Sequence, residues 1–466
     1  MSKTKDSNQA VIFQTSHIDK PREGKIYFRE QKGLFQRIRR YLSSLLMLVF
    51  ILLPWIEFNG QQAILFDVGQ QQFRFFSLVL FPQDFTLFMW LFIFSAFLLF
   101  YITRLYGRIW CGYTCPQTIW MLMFNWIERR VEGTHNQSKA LDKAPDSINK
   151  WAKKSIKHVL WLNLSLLTAL VFMSYFIPAK SLYIDFINMQ SSFLVQAWVY
   201  FFAVCTYINA GWIKDKMCLH MCPYARFQSA FFVKTTTLMT YDTARGEGRG
   251  PRKMNQAKPE GKGDCVDCNL CVQVCPVGID IRNGLQYECI NCGLCADACD
   301  GVMAKFNYAK GLISYKAEQK QALGFSFNHV YGSLACLSFV FMLTWFEFRD
   351  SSEVNVLRDR QALYRINTQG DVENTYIIKT LNKTQQVKEY QITTDKMLGI
   401  EIAGDKVFTV EPGQLQTHVI AVVDKNKNRL GNLDSPFKDI ELVITDIATD
   451  ERFNKAVSFY QSNDAW

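Results

Sequence analysis

Eight cysteines fall into two runs that share the spacing Cys-x2-Cys-x2-Cys-x3-Cys, the first starting at Cys265 and the second at Cys289. In this spacing a tight loop directs three thiolates at one iron–sulfur cube. The chain has turned away by the fourth cysteine, which reaches the other cube. The runs therefore predict two [4Fe–4S] clusters. One is expected on Cys265, Cys268, Cys271 and Cys299, and the other on Cys275, Cys289, Cys292 and Cys295.

The second run departs from the usual pattern at one position. Pro276 follows the last cysteine of the first run, whereas Asp300 follows Cys299. The aspartate adds a negative charge beside one cluster, and charge near a cluster shifts its reduction potential. A pair of zinc sites is the alternative interpretation, but zinc sites usually show two cysteine pairs rather than eight cysteines in even runs.

Four more cysteines lie in two Cys-x-x-x-Cys-Pro units, Cys111 with Cys115 and Cys218 with Cys222. On a helix, residues four apart share a face, so both sulfurs of a pair could bind one ion or form a redox couple. Pro116 and Pro223 follow the units and suit the first turn of a new helix. The repeat of two apolar segments and one unit indicates a pseudo-two-fold axis along the membrane normal, with the two pairs facing each other.

The second unit is rich in soft ligands, because Met217, His220 and Met221 surround its two cysteines. Thiolate and thioether ligands favour Cu(I) over harder ions. We therefore predict copper binding at the four paired cysteines, with these three residues as further ligands. Two alternatives stay open: the paired cysteines pack at a membrane interface, or they are partial ligands of a further cluster.

Other cofactor motifs are missing from the sequence. No Cys-x-x-Cys-His motif is present, which excludes covalent c-type haem. His158 and His329 lie near the ends of two apolar segments, where we expect interfacial hydrogen bonds rather than haem ligation. We find no Walker A motif and no Ser-His-Asp or paired-carboxylate constellation.

Five segments free of charge must position these cysteines: residues 41–56, 85–103, 158–179, 186–213 and 321–346. A membrane span needs about 20 mostly apolar residues. We accept all five as transmembrane helices, since the first continues past Glu57 through Phe58. A composition of 49% hydrophobic and 20% charged residues excludes a disordered chain, and the five segments exclude a single soluble globule.

Lysine and arginine counts predict the orientation of the spans. Residues 1–40, 104–157 and 214–326 carry ten, ten and fifteen, whereas residues 59–84 and 178–192 carry one each. The N-terminus and both large loops are therefore expected in the cytoplasm, with the C-terminal tail outside. The net charge of +10 follows from this topology, so we predict no nucleic-acid partner.

The C-terminal tail shows period-two runs at residues 376–381, 400–402, 407–410, 419–423 and 441–444, with turns at 411–413 and 424–431. Short strands at such spacing predict a small immunoglobulin-like β-sandwich, here without a disulfide. In the loop after the first span, residues 63–67 and 73–80 suggest a hairpin. Residues 243–263 are rich in Gly, Pro and Lys, which is typical of a flexible linker.

The predicted fold is a multi-domain membrane protein: a bundle of five transmembrane helices, a ferredoxin-like two-cluster domain and an all-β tail. We expect an N-terminal arm (1–40), four helices in two repeats that each end in a Cys-x-x-x-Cys-Pro unit (41–242), a cytoplasmic two-cluster domain with its linker (243–320), a fifth helix (321–346) and an exported β-sandwich (347–466).

This order of elements resembles the cytochrome c oxidase accessory proteins known as CcoG, FixG or RdxA, over essentially the whole chain. Polyferredoxins of the NapH and NosR kind share the cysteine–proline units and the clusters but lack the tail. The resemblance implies a bacterial inner-membrane protein with a periplasmic tail. It also implies that the protein reduces Cu(II) to Cu(I) for assembly of the copper centre of a cbb-type oxidase.

The family's functional positions carry over as the eight cluster cysteines and as Cys111, Cys115, Cys218 and Cys222, which the resemblance makes the catalytic, copper-binding residues. Expected partners are oxidase subunits or copper chaperones and transporters, and an unidentified cytoplasmic electron donor. A homodimer is compatible with the sequence. Two other functions stay open: a NapH-like conduit that exchanges electrons with quinone and binds no copper, and a non-enzymatic assembly scaffold.

Overall fold

The computed structural model describes residues 26–254, 258–319, 327–360, 362–394, 399–425 and 437–460. The chain forms two compact units. The first contains the residues up to Trp55 and Phe88–Leu343, and the second contains Ile56–Leu87 and the residues from Thr344 onward. Each unit is described by itself.

The helices are α1 (Leu34–Leu52), α2 (Phe85–Tyr106), α3 (Ile109–Tyr113), α4 (Pro116–Glu132), α5 (His135–Lys143), α6 (Ile148–Met173), α7 (Ala179–Ile187), α8 (Phe193–Thr206), α9 (Pro223–Ala230), α10 (Thr243–Gly246), α11 (Leu270–Gln273), α12 (Leu294–Lys305) and α13 (Phe327–Glu347). Two π-helical segments follow α8, at Tyr207–Ile213 and Met217–Met221. Among the described residues, five helical segments are long and apolar enough to span a membrane: Leu34–Trp55, Pro82–Tyr106, Ile148–Met173, Phe193–Ile213 and Phe327–Glu347.

These five segments correspond to the five predicted spans, with different ends. The first helix already begins at Leu34, because the amphipathic end of the predicted arm continues into the span without a break. The third helix begins at Ile148, where Ser147 accepts a capping hydrogen bond from the Lys150 backbone. That helix ends at Met173 rather than 179, since Pro178 cannot continue a helix and instead precedes α7.

The helices of the two repeats pack through large aromatic residues against small ones. Phe124 and Trp161 are buried with Ala210 in one core cluster. Gly211 lies against the same tryptophan, where a side chain would come within 3.1 Å of the ring. Small residues on the π-helical segment therefore let the fourth span approach α4 and α6 closely.

The two-cluster domain is framed by β6 (Leu238–Tyr241) and β7 (Ile313–Lys316), which pair antiparallel on either side of the cysteine runs. The two short helices inside it begin alike. Asn269 precedes α11 and Gly293 precedes α12, both in the left-handed region at φ +56° and +76°. The two cysteine runs thus repeat one local fold.

The segment 243–263 is more ordered than the predicted flexible linker. Asp242 caps α10, and Arg245 forms a 2.6 Å ion pair with Asp264. Arg252 donates a 2.7 Å hydrogen bond to the Gly263 carbonyl. These contacts hold the described part of the segment against the two-cluster domain, and residues 255–257 lie outside the described residues.

The second unit contains an antiparallel β-sandwich, as predicted. Its strands are β8 (Ser352–Arg358), β9 (Arg365–Ile366), β10 (Val372–Asn382), β11 (Lys388–Thr394), β12 (Ile400–Ala403), β13 (Val407–Val410), β14 (Leu415–Asp424), β15 (Phe437–Asp446) and β16 (Arg452–Tyr460). One sheet has the order β12-β14-β10-β8, with β9 beside β10, and the other has the order β13-β11-β15-β16. Alternate residues such as Tyr376, Tyr390 and Leu442 fill the core between them.

Five predicted strands are present, and the sequence missed β8, β9, β11 and β16. The predicted turn at 411–413 is present, and Gly413 adopts φ +66° there, whereas most of the turn predicted at 424–431 lies outside the described residues. In the loop after the first span, β1 (Glu57–Phe58) pairs with β2 (Gln61–Gln62). The predicted hairpin is a three-stranded meander of β3 (Ile64–Asp67), β4 (Gln72–Phe75) and β5 (Leu78–Leu80).

Candidate iron–sulfur and paired-cysteine site

Two small cavities inside the two-cluster domain collect the eight cysteines of the runs. The first cavity is lined by Cys265, Cys268, Cys271 and Cys299, together with Arg282 and apolar residues from β7 and α12. The second is lined by Cys275, Cys289, Cys292 and Cys295. The first cavity therefore receives three cysteines from the first run and Cys299 from the second, whereas the second cavity receives three from the second run and both Cys271 and Cys275 from the first. The exchange of the fourth ligand stays a prediction from the spacing. Cys271 lines both cavities, so the two lie side by side.

The chemistry of these cavities suits an iron–sulfur cube. Each presents four thiols among apolar side chains. Burial raises the pKa of Cys271 and Cys299 to about 12 and that of Cys289 to about 11. Burial raises the pKa of Cys275 and Cys295 as well. Because thiolates are the ligands of iron–sulfur clusters, the positive charge of iron would have to offset this desolvation cost, and cluster binding would release protons.

The paired-cysteine units have the same local structure as each other. Cys111 lies in α3 and Cys218 in the π-helical segment Met217–Met221. The second cysteine of each pair stands just before a new helix that begins with proline, as predicted for Pro116 and Pro223. Its backbone N–H bonds five residues back, from Cys115 to the Trp110 carbonyl at 3.0 Å and from Cys222 to the Met217 carbonyl at 2.8 Å.

The two cysteines of each pair do not lie on one continuous helix, because the helix ends before the second cysteine. That both sulfurs bind one ion or form a redox couple stays a prediction. The physical reason is the proline. Its ring restricts the preceding residue to extended backbone, and Cys115 and Cys222 have ψ of 127° and 112°. Because of the break, the helix that carries the first cysteine of a pair does not fix the direction of the second thiol.

The four paired thiols lie within electrostatic range of one another. The Cys218 thiol interacts with those of Cys111, Cys115 and Cys222, and the guanidinium of Arg108 interacts with Cys111 and Cys218. Burial, reinforced by the neighbouring thiols, raises the pKa of Cys218 to about 12, and Arg108 opposes the shift. The two units thus form one thiol cluster beside a buried cation.

The remaining predicted copper ligands lie differently. His220 and Met221 are exposed, and Met217 is half-buried. In the described part of the chain, no three cysteine, histidine or carboxylate side chains are grouped closely enough to hold one metal ion. The paired cysteines therefore form a cluster of neighbouring thiols that is not preassembled as a three-ligand centre.

The paired-cysteine units touch the wall of the second cavity. A Cβ on Gly112 would lie 2.7 Å from the Ile290 carbonyl oxygen and 3.1 Å from the Cys292 Cα. Tyr113 donates a 3.1 Å hydrogen bond to the Cys292 carbonyl. Cys111 and Leu219, one from each unit, pack on the apolar cluster that contains Cys292. Both units are thus adjacent to the second cavity.

Several residues at this site escaped the sequence analysis. Asn291 is buried, donates a 2.7 Å hydrogen bond to the Tyr106 carbonyl and accepts one of 2.7 Å from the Met239 backbone. The Cys111 thiol donates to Gln228 at 3.2 Å. Arg39 is fully buried. Only Arg39 had a sequence signal, an arginine beside an apolar segment.

His158, which was expected to make interfacial hydrogen bonds, contacts two aromatic residues. His158 Nδ1 pairs with the Tyr207 hydroxyl at 2.9 Å, and its ring packs edge-on against Trp161. This hydrogen bond agrees with the interfacial role expected for His158.

The fold and the site define a membrane protein that carries a two-cluster iron–sulfur domain and an immunoglobulin-like tail. Three family models match the chain: a 4Fe-4S dicluster domain at residues 213–318, a 4Fe-4S binding domain at 86–133, and the IG-like fold at the C-terminus of FixG at 342–461. The model at 86–133 includes Cys111 and Cys115, so a further cluster stays an alternative for the paired cysteines.

Relatives match over nearly the whole chain. Nitrogen fixation protein FixG of Rhizobium meliloti is 31% identical over 94% of this chain and 92% of its own length. Protein RdxB of Cereibacter sphaeroides is 30% identical over 96% of this chain and 98% of its own. A crystal structure of a FixG-related protein from Vibrio parahaemolyticus is 28% identical, covers 24% of this chain and 98% of its own, and has a TM-score of 0.22. The chain belongs to the FixG/RdxA family and is an iron–sulfur oxidoreductase of the membrane.

Proposed function

We propose that the protein reduces Cu(II) to Cu(I) at the paired cysteines, with electrons from two [4Fe–4S] clusters, for assembly of the copper centre of a cbb-type oxidase. The observation that supports this proposal is the approach of the paired-cysteine units to the second cavity. Gly112, between Cys111 and Cys115, lies against the backbone of Cys292. An electron leaving a cluster in that cavity therefore has a short path to a thiol cluster that suits copper.

In this proposal Cys265, Cys268, Cys271 and Cys299 hold one cluster, and Cys275, Cys289, Cys292 and Cys295 hold the other. The clusters supply electrons one at a time, at potentials set by surrounding charge. Cys111, Cys115, Cys218 and Cys222 bind the copper substrate as thiolates and release their protons to solvent. Their soft sulfurs favour Cu(I), so ligand chemistry and electron supply favour the same product.

The orientation and the partners belong to the same proposal. The distribution of basic residues supports an orientation with the N-terminus and the two-cluster domain in the bacterial cytoplasm and the sandwich in the periplasm. Reductant then comes from a cytoplasmic donor. Copper leaves toward a chaperone, a transporter or an oxidase subunit.

Single-turnover Cu(II) reduction tests the proposal. The protein is purified anaerobically in detergent, reduced with dithionite, freed of excess reductant and mixed with Cu(II) and a Cu(I)-selective chelator. We expect cluster oxidation to match Cu(I) formation, and serine at all four paired cysteines to slow both. Cys205 and Cys336 are exposed cysteines in two of the spans, and their serine variants are matched controls. Equal rates in the fourfold variant and the wild type would contradict the proposal.

A second function, electron exchange with a quinone, is favoured by one observation. A cavity of about 730 Å³ lies between residues 26–30, α1 and α4. Apolar residues such as Met47, Leu122 and Met123 line it, and Glu30 lines it together with its ion-pair partner Arg40. Cluster reduction by a short-chain quinol, with no stoichiometric Cu(I) binding in an anaerobic titration, would favour this function over copper reduction.

A further inference from the structure

Arg39 is a buried cation without a counter-charge. It lies in α1, its side chain is fully buried, and none of its three side-chain nitrogens has a hydrogen-bond partner among the described residues. A buried charge without a partner is very costly in a protein interior. Such a guanidinium therefore indicates an anion that the protein holds in its working state.

The position of Arg39 indicates that this anion is the thiolate-bound cluster of the second cavity. The guanidinium lies within electrostatic range of the thiols of Cys275 and Cys292, which line the second cavity, and of Cys218 in the paired-cysteine site. Arg108 is also almost fully buried. It donates a 2.8 Å hydrogen bond to the Tyr287 carbonyl and acts on the thiol of Cys289. Two buried cations thus stand beside the second cavity.

The first cavity has a different balance of charge. Its buried arginine, Arg282, is neutralised by Asp280 and Asp267 at 2.6 and 2.5 Å. Asp300 follows Cys299 and acts on its thiol as a negative charge. The first cavity is therefore surrounded by compensated or negative charge. The second faces two buried cations, Arg39 and Arg108, against one carboxylate, Glu288, which acts on Cys289.

We propose that Arg39 sets the order of the two clusters: it holds the cluster on Cys275, Cys289, Cys292 and Cys295 at the higher potential and makes it the exit toward the paired cysteines. Reduction adds one negative charge to a cluster, and a nearby cation in a low-dielectric interior stabilises the reduced form. One electron passes from the reduced first cluster to the oxidised second cluster. It then passes to Cu(II), which becomes Cu(I), and a one-electron reductant restores the first cluster. This inference rests on the proposed function, because it requires both clusters.

The geometry supports the same direction of flow. The second cavity is the one whose wall touches Gly112 and Tyr113. A higher potential at the second cluster makes electron transfer from the first cluster to the second favourable, and the second cluster is the one beside the paired cysteines. Arg39 is a positioning residue in this scheme, because it acts through charge and touches no substrate.

An EPR-monitored redox titration of the full-length protein tests the assignment. Wild type should show two one-electron steps. In Arg39→Gln we expect the midpoint potential of the higher step to fall by at least ~59 mV. This corresponds to a tenfold change in the ratio of reduced to oxidised cluster at a fixed potential. The lower step should stay in place. Arg37→Gln is the matched control, since Arg37 is exposed and two residues away on the same helix, and it should move neither step.

Asp300→Asn keeps the inference testable if Arg39→Gln does not fold. In this variant the midpoint potential of the lower step should rise, and that of the higher step should stay unchanged. An Arg39→Gln protein with full iron content and both steps unmoved would overturn the inference, as would a shift of the lower step in Arg39→Gln or of the higher step in Asp300→Asn. A wild-type protein with no reducible clusters would instead overturn the proposed function itself.

Discussion

Gly112→Ala should increase the distance between the paired cysteines and the cluster from which they receive electrons. A methyl group at this position would lie 2.7 Å from the Ile290 carbonyl oxygen, where ordinary contact begins at 3.4 Å. The neighbouring atoms are backbone, so the strain cannot be relieved by turning a side chain. The two loops would have to move apart by about 0.7 Å. Overpacking of this kind costs about 1–3 kcal/mol.

The expected result is a protein that keeps its clusters but transfers electrons to copper more slowly. Iron content should match the wild type, because all eight cysteines that line the two cavities are kept, although the backbone of Cys292 has to shift with its loop. Stopped-flow oxidation of the dithionite-reduced protein by Cu(II) should be slower, since electron transfer weakens steeply as the donor and acceptor separate. A modest fall in thermal stability should accompany it.

Gly250→Ala is the matched control, because a Cβ there would meet no atom within 4 Å. It should transfer electrons at the wild-type rate. If Gly112→Ala reduced Cu(II) as fast as Gly250→Ala while showing the expected loss of stability, the contact at Gly112 would not be the electron path.

Three further predictions concern the fold that supports the site. Asn291→Ala leaves two carbonyls and the buried Met239 N–H without this partner, so thermal unfolding should show a loss of about 1–3 kcal/mol for each group left buried and unsatisfied. Glu132→Ala removes the buried carboxylate that pairs with two lysines of α6 and should cost about 3–5 kcal/mol, whereas Asp146→Ala, at an exposed pair, should change stability by less than about 1 kcal/mol. Burial alone would raise the pKa of Asp446, but its ion pair with Lys388 at 2.6 Å lowers that pKa below its usual value. Folding therefore favours the carboxylate, so the free energy of unfolding should include a contribution from this ion pair above about pH 4. This contribution is lost as the pH falls through the lowered pKa of Asp446. In Lys388→Met the loss of stability, measured by unfolding at a series of pH values, should begin at a higher pH.

The cysteine runs were predictable because cluster binding is a local matter of spacing. Three thiols within seven residues must face one point, and the crossing of the fourth follows from the turn after it. The spans were predictable for a similar reason, since about 20 apolar residues have few other uses. Pro116 and Pro223 made the start of a new helix after each paired unit predictable, whereas the π-helical form of Met217–Met221 was not predicted.

The parts that escaped prediction depend on contacts between distant segments. Arg39 is separated from Cys275 and Cys292 by more than half the chain, so no spacing rule connects them. The strand β11 carries a lysine, Lys388, at a buried position, where it pairs with Asp446 on β15 and donates hydrogen bonds to Ser351 and Ser352. A search for alternating apolar residues therefore missed β11. It also missed β16, where Lys455 occupies one of the alternating half-buried positions.

The central claim is that the four paired cysteines receive both copper and the electron from the clusters. X-ray absorption at the copper edge, after one equivalent of Cu(II) is added to the reduced protein, tests both parts at once. The account predicts a Cu(I) edge with sulfur ligands in the wild type, and fewer sulfur ligands when Cys218 and Cys222 are replaced by serine, since Cys111 and Cys115 remain. Copper with only oxygen and nitrogen ligands, or the same sulfur signal in that variant, would contradict it.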